Sequence, residues 1–219
     1  MAHVFTIEEI RPIRDGFTIS RDSKLGKITK VTHFSLGKGT SITQESYDHI
    51  TMYIGASGSG DFLIGKDATK DKLLPNSALI VPDGELCGME TNSGMVYTEL
   101  ILKNHNEKEI TMNANIKTNE VFLLKDLINY EEGSISNMDV VSTNNMKYVL
   151  MAFDEGTGLT PHRAPGNAIV FALEGNATIG YEGKDYNISA GECFKFEKNG
   201  LHSITANGKF KMALLLVIE

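Results

Sequence analysis

Residues 156–175 read Gly156-Thr-Gly-Leu-Thr-Pro-His162-Arg-Ala164-Pro-Gly-Asn167-Ala168-Ile-Val-Phe171-Ala-Leu-Glu-Gly175. Glycines bound a turn that leads to His162, Pro165-Gly166 interrupts the chain, and an apolar strand over 168–173 runs into a turn at Glu174-Gly175. A second stretch answers it: Gly191-Glu-Cys193-Phe194-Lys-Phe196, a turn at Lys198-Asn199-Gly200, then His202-Ser203-Ile204. Turn residues punctuate both stretches, and each carries a single histidine.

The surrounding chain repeats this texture. Runs rich in Val, Ile, Phe, Tyr and Thr fall at 27–34, 49–54, 61–64, 78–81, 96–102, 148–153, 169–173, 178–181 and 209–218. Gly, Asn, Asp and Ser clusters separate them, which is the pattern of a sandwich or barrel. Tyr181-Glu-Gly-Lys184 reads as a tight hairpin, and the prolines are placed at strand ends, where a missing N–H does least harm. Helix is limited to a turn or so at 7–10 and 125–130. The class is all-β.

The pattern occurs twice. Val4-Phe5 with Ile10 is echoed by Val121-Phe122 with Leu127, an offset of 121 − 4 = 117, and Asp15-Gly16 is echoed by Glu132-Gly133 at the same offset. Phe34-x-x-Gly37-x-Gly39 returns as Phe153-x-x-Gly156-x-Gly158, and the stretch from Val81 to Cys87 falls opposite that from Phe196 to His202. Small drifts in offset with the order of landmarks kept are what duplication followed by loop changes leaves. The units expected are residues 1–106 and 107–219, with a polar linker at about 104–119.

Composition narrows the function. A formal net charge of −7 opposes a broad electrostatic grip on nucleic acid or anionic lipid. No stretch approaches the roughly 20 apolar residues of a membrane helix, and the N-terminus lacks the apolar core of a signal peptide, so a cytoplasmic location is expected. Two cysteines, Cys87 and Cys193, match no zinc spacing and read as buried free thiols. The glycine-rich run at 55–60 reads as a tight turn rather than a phosphate cradle.

The two stretches resemble the paired motifs of the cupin superfamily: Gly, His-x-His, Glu and Gly in the first, and Gly, five residues, Pro-x-Gly-x-x-His in the second. The resemblance extends over nearly the whole chain and implies two tandem cupin barrels, that is, double-stranded β-helix or jelly-roll folds. It is similar to small bicupins whose C-terminal halves share the single-histidine run His162-x-Ala164-Pro165 and a late Lys211-Met212 strand. Homodimers are common for such barrels and are expected here.

In metal-binding cupins the motif residues converge on one divalent ion. By resemblance His162 matches the first histidine and His202 the last, 202 − 162 = 40 residues on. Ala164 stands at the second histidine, and Asn167 or Ala168 stands near the glutamate. Glu197 replaces the usual proline and Asn199 the usual glycine. Two imidazoles form an incomplete site for nickel, iron, manganese or zinc, because such ions need three or four N/O donors. The alternative is that both histidines anchor a polar ligand or act as acid and base, with Asn167, Phe171 and Phe194 as further ligand contacts. Lys211 and Met212 are candidates to line or cap the barrel. In the N-terminal half Gln44 or Glu45 takes the first histidine position, Ser46 or Tyr47 the second and Cys87 the last, with His49 out of register. That half reads as a packed, degenerate barrel.

Three functions compete: binding of a small polar metabolite in the C-terminal barrel, an enzyme of the metal-dependent dioxygenase-like or metal-free isomerase type, and a structural protein that binds nothing. The missing ligands favour the first.

Overall fold

The computed structural model describes residues 3–102 and 110–219. Within these the chain is built almost entirely of antiparallel strands, in two compact units. Helix is confined to Ile7–Ile10 and a 3-10 turn at Leu124–Leu127, as the sequence predicts.

The C-terminal unit pairs a seven-stranded sheet with a four-stranded one. The larger runs Val4–Phe5, Cys193–Phe196, Asn167–Glu174, Phe210–Val217, Met146–Phe153, Ile135–Thr143 and Thr111–Met112; the smaller runs Gly158–Arg163, Leu201–Ala206, Asn176–Tyr181 and Lys184–Ser189. Alternation along the strands decides what lies between them. Val170 and Ala172 from the larger sheet meet Ile179 and Ile204 from the smaller, around Phe194, Phe196, Phe210 and Met212. The opposite face of the larger sheet is also buried, with Tyr148, Phe171 and Leu215 on it.

The N-terminal unit has the same strand order. Its six-stranded sheet runs Phe122–Leu123, Ser77–Val81, Ile50–Gly58, Met95–Leu102, Lys30–Leu36 and Thr18–Asp22; Thr40–Ser46, Leu86–Thr91, Gly60–Ile64 and Thr69–Leu73 form the smaller sheet. The duplication read from the landmarks is therefore a duplication of topology. Gly58 and Gly175 make the point locally. They are 175 − 58 = 117 positions apart, both have positive φ (65° and 73°), and a Cβ on either would strike a backbone carbonyl, of Gly94 or of Lys209. Only glycine serves both needs.

The units do not divide at 106/107. Val4–Phe5 belongs to the C-terminal unit, where it pairs with Phe194 and Cys193; Phe122–Leu123 belongs to the N-terminal unit, where it pairs with Ala78 and Ser77. Each short strand covers a sheet edge whose N–H and C=O groups would otherwise stay unpaired. Compositional boundaries cannot reveal such an exchange. The expected linker at 104–119 falls in part, at 104–109, outside the described residues. Farther along it, Thr111–Met112 pairs with Ser142 and Val141, and the Asn119 amide donates to Ile80 O at 2.9 Å.

The hairpin expected at Tyr181–Lys184 is present. Tyr181 pairs with Lys184, and the two turn residues, Glu182 and Gly183, both have positive φ. That is the backbone of a type I′ turn, whose twist suits a two-residue loop.

Candidate functional site

His162 and His202 come together because their strands pair. Gly158–Arg163 runs antiparallel to Leu201–Ala206, and a bulge after Leu159 brings His162 opposite His202. Their ring centroids are 4.3 Å apart at an interplanar angle of 54°. His202 is buried, with Phe196 stacked on it at 4.2 Å, whereas His162 is exposed at the barrel rim.

Both rings are oriented by the main chain. His162 Nδ1 lies 2.8 Å from Thr160 O, and His202 Nδ1 lies 3.0 Å from Gly200 O. A carbonyl oxygen only accepts, so each Nδ1 carries the proton and donates. The neutral rings therefore hold their lone pairs on Nε2. Burial lowers the His202 pKa; the Gly200 carbonyl acts in the opposite direction, and the neighbouring His162 lowers it further. His202 is thus held as a neutral acceptor near neutrality.

The turn before His202 explains two departures from the motif. Asn199 takes the left-handed conformation at φ 63°, which asparagine tolerates better than most residues, so it replaces the usual glycine. Its amide donates to Ala164 O at 3.0 Å, and the Gly200 amide donates to Glu197 O at 2.9 Å. Glu197 and Ala164 therefore serve the turn through their backbone. Asn167 does so through its side chain, Oδ1 accepting from the Lys198 amide at 2.9 Å.

The remaining expected contacts divide by strand parity. Phe194 lies in the barrel core, fully buried against Tyr181, Tyr186 and Phe196, so it fills the barrel beneath the histidines rather than lining open space. Phe171 is not brought to the site. It projects from the other face of its strand from Val170 and Ala172, with Tyr148 as its ring neighbour at 6.4 Å. Parity separates the last pair too: Met212 packs in the core, while Lys211 points away, its Nζ donating to Lys125 O at 2.7 Å and lying 4.7 Å from the Tyr130 ring centre. Sequence reasoning missed Phe196, although its spacing of two from Phe194 puts both on one face. It also missed Tyr181, whose hydroxyl accepts from the Glu197 amide at 3.3 Å.

A cleft of about 240 Å³ is lined by His202 and Tyr181 together with Pro161, Gly180, Leu201 and Ser203. A Cβ on Gly180 would meet Ser203 Oγ at 2.5 Å, so the missing side chain helps to open the space.

The donor set does not fit a held catalytic ion. Two imidazoles converge, but no group of three His, Cys, Asp or Glu able to hold a metal occurs among the described residues. Ala164 and Asn167, at the positions of the missing ligands, are engaged in the turn.

The N-terminal barrel resolves the register left open by the sequence. Glu45 pairs with Cys87 after a bulge following Ile42, as His162 pairs with His202 after Leu159, and Tyr47 stands two residues on. Gln44 instead donates to Leu63 O and Gly65 O at 3.1 and 2.9 Å. Burial pushes the Cys87 thiol up to about 12 and raises that of Cys193 as well, so both are inert thiols near neutrality.

No helix among the described residues is long and apolar enough to cross a membrane. A model of the cupin domain family matches residues 149–218. No curated protein matches the sequence. Among solved structures, the chain is similar to a cupin 2 conserved barrel domain protein from Leptotrichia buccalis, at 23% identity over 98% of this chain and 95% of that one, with a TM-score of 0.83. It is also similar in fold to salicylate 1,2-dioxygenase from Pseudoaminobacter salicylatoxidans, solved as adducts with gentisate, at 10% identity over 99% of this chain and 81% of that one, with a TM-score of 0.67. Residues 149–218 thus match the cupin domain, and the chain as a whole is similar in fold to cupin barrel proteins.

Proposed function

We propose that the C-terminal barrel binds a small polar metabolite at its rim, with the Nε2 atoms of His162 and His202 as paired acceptors for its hydroxyl or N–H groups. The observation that carries this reading is the main-chain grip on both Nδ1 atoms, which leaves two lone pairs on rings 4.3 Å apart. Phe196 and Tyr181 supply the apolar floor. Such a site combines a few fixed polar groups with apolar walls, the usual composition of a ligand pocket.

The same pair could serve proton transfer, and the lowered pKa of His202 favours a metal-free isomerase-type reaction over a dioxygenase-like one, since a neutral imidazole is the form that accepts a proton. A metal-dependent reading would require ligands from water or substrate to complete the two imidazoles.

Elemental analysis by mass spectrometry of protein purified without chelator, wild type beside His162→Ala, separates these readings. Metal well below one equivalent and insensitive to the mutation supports metabolite binding, with thermal-shift screening of polyols and hydroxy acids as the next step. Near-stoichiometric metal that disappears in the variant would overturn it. A screen in which every hit stabilises wild type and His162→Ala equally would also count against it.

A further inference from the structure

Three strands of the smaller C-terminal sheet set Ser203, Gly180 and Asp185 side by side, with Gly180 the register partner of both others. One position along, Ile204, Ile179 and Tyr186 are in or against the barrel core, so the row of three faces the opposite side of the sheet. The point that a Cβ would occupy on Gly180 lies 2.5 Å from Ser203 Oγ and 3.5 Å from Asp185 Oδ1. Two side-chain oxygens therefore border one gap, held open by the glycine between them.

The gap belongs to the cleft of about 240 Å³. That volume is below the roughly 300–1,000 Å³ of pockets for drug-sized ligands, so it suits a small occupant. His202 and Tyr181 also line the cleft, but their rings turn toward the barrel, onto Phe196 and Phe194, and the row turns away from it. The row is thus separate from the histidine pair.

The walls select the class of ligand. A carboxylate such as that of Asp185 only accepts hydrogen bonds, whereas the Ser203 hydroxyl both donates and accepts. Among the described residues neither of these two groups has a hydrogen bond or ion pair within the protein. Glu182, on the same cleft, is engaged: its Oε1 accepts from the Leu201 amide at 2.6 Å and lies 3.8 Å from Arg163 Nη1. Asp185 and Glu182 repel an anion, and Lys184, which lines the cleft next to Asp185, opposes an ammonium group. A neutral hydroxyl can donate to Asp185 and still exchange a hydrogen bond with Ser203, and two oxygens across one gap call for two such groups close together. We propose that the cleft is a second binding site, taking a small sugar or polyol whose adjacent hydroxyls sit over Gly180 between Ser203 and Asp185.

The test uses the full chain, with erythritol and ribose as probes. The controls are 1,4-butanediol, which lacks adjacent hydroxyls, ethanolamine as a cation and lactate as an anion. Amide NMR titration reads both the affinity and the place. Erythritol and ribose should saturate, move the amide signals of Gly180, Asp185 and Ser203, and bind about tenfold or more tightly than any control. Asp185→Ala, at an exposed position, should weaken both probes about tenfold. Gly180→Ala, which fills the gap, should do the same, and His162→Ala should leave binding unchanged. A control that binds as tightly as erythritol, equal affinity in wild type and folded Asp185→Ala, or no saturable binding of either probe would overturn the proposal.

Discussion

His162 and His202 are cross-strand partners whose rings stand 4.3 Å apart, one exposed and the other buried on Phe196. Their asymmetry makes them separable by mutation. His162→Ala should leave stability within about 0.5 kcal/mol of wild type, as for most exposed positions. It should also raise the His202 pKa, because it removes a lowering charge and lets water reach the ring. Histidine NMR titration reads the shift; an unchanged or lower value would contradict the arrangement. His202→Ala should cost about 2 kcal/mol, since it empties the space over Phe196.

Two groups, the buried His33 and the half-buried Glu99, impose opposite pH dependences. Burial, with the Arg11 charge next in size, lowers the His33 pKa to about 4, and its Nδ1 lies 2.9 Å from Thr98 Oγ1. Its contribution is complete above the ordinary value of 6.5 and is lost as pH falls from there through about 4. Glu99 runs the other way: raised from 4.5 to about 7, it contributes fully below 4.5, and that contribution is lost as pH rises through about 7. Glu99→Gln should therefore be more stable than wild type above about pH 7, by on the order of 2 kcal/mol, and should gain nothing at about pH 4. Urea unfolding across that range would expose an error, namely a gain independent of pH.

Removing residues 1–6 should loosen the C-terminal unit, although the cut lies at the far end of the sequence. Val4 packs on that unit's core, and Phe5 pairs with Cys193. Amide exchange should quicken first in Cys193–Phe196, and Phe5→Ala alone should cost about 3 kcal/mol. Faster exchange centred on Ile50–Gly58 instead would refute the strand assignment.

Gly175→Ala should cost at least about 2 kcal/mol, combining a left-handed backbone with a clash against Lys209 O. Gly183→Ala, at a positive φ but with nothing within 4 Å of the added Cβ, should cost about half as much or less. Thermal unfolding compares the two, and equal losses would mean that the close approach at Gly175 is absent.

Both thiols should resist Ellman's reagent in the native chain at about pH 8 and react fully in denaturant, because burial keeps them protonated. Rapid labelling of native Cys87 would place it in contact with solvent and contradict its burial.

The sequence by itself determined the class, the duplication and the two histidines. Apolar strands such as Met95–Leu102 and Phe210–Val217 are legible because burial demands β-branched and aromatic residues there. Gly158–Arg163 was legible only as a turn. All but one of its residues are exposed, so no apolar alternation marks it, and its strand character comes from pairing with Leu201–Ala206. The strands Thr18–Asp22 and Thr69–Leu73 escaped notice for the same reason. Tertiary structure alone decided which face each side chain joins: Phe194 inward and Phe171 outward, Met212 inward and Lys211 outward. It also decided that Val4–Phe5 completes the unit at the opposite end of the chain, and that Glu99 stands in the N-terminal barrel without a counter-charge among the described residues. Composition and spacing report what each segment prefers locally. Strand pairing joins residues far apart in sequence, and that is what creates a site.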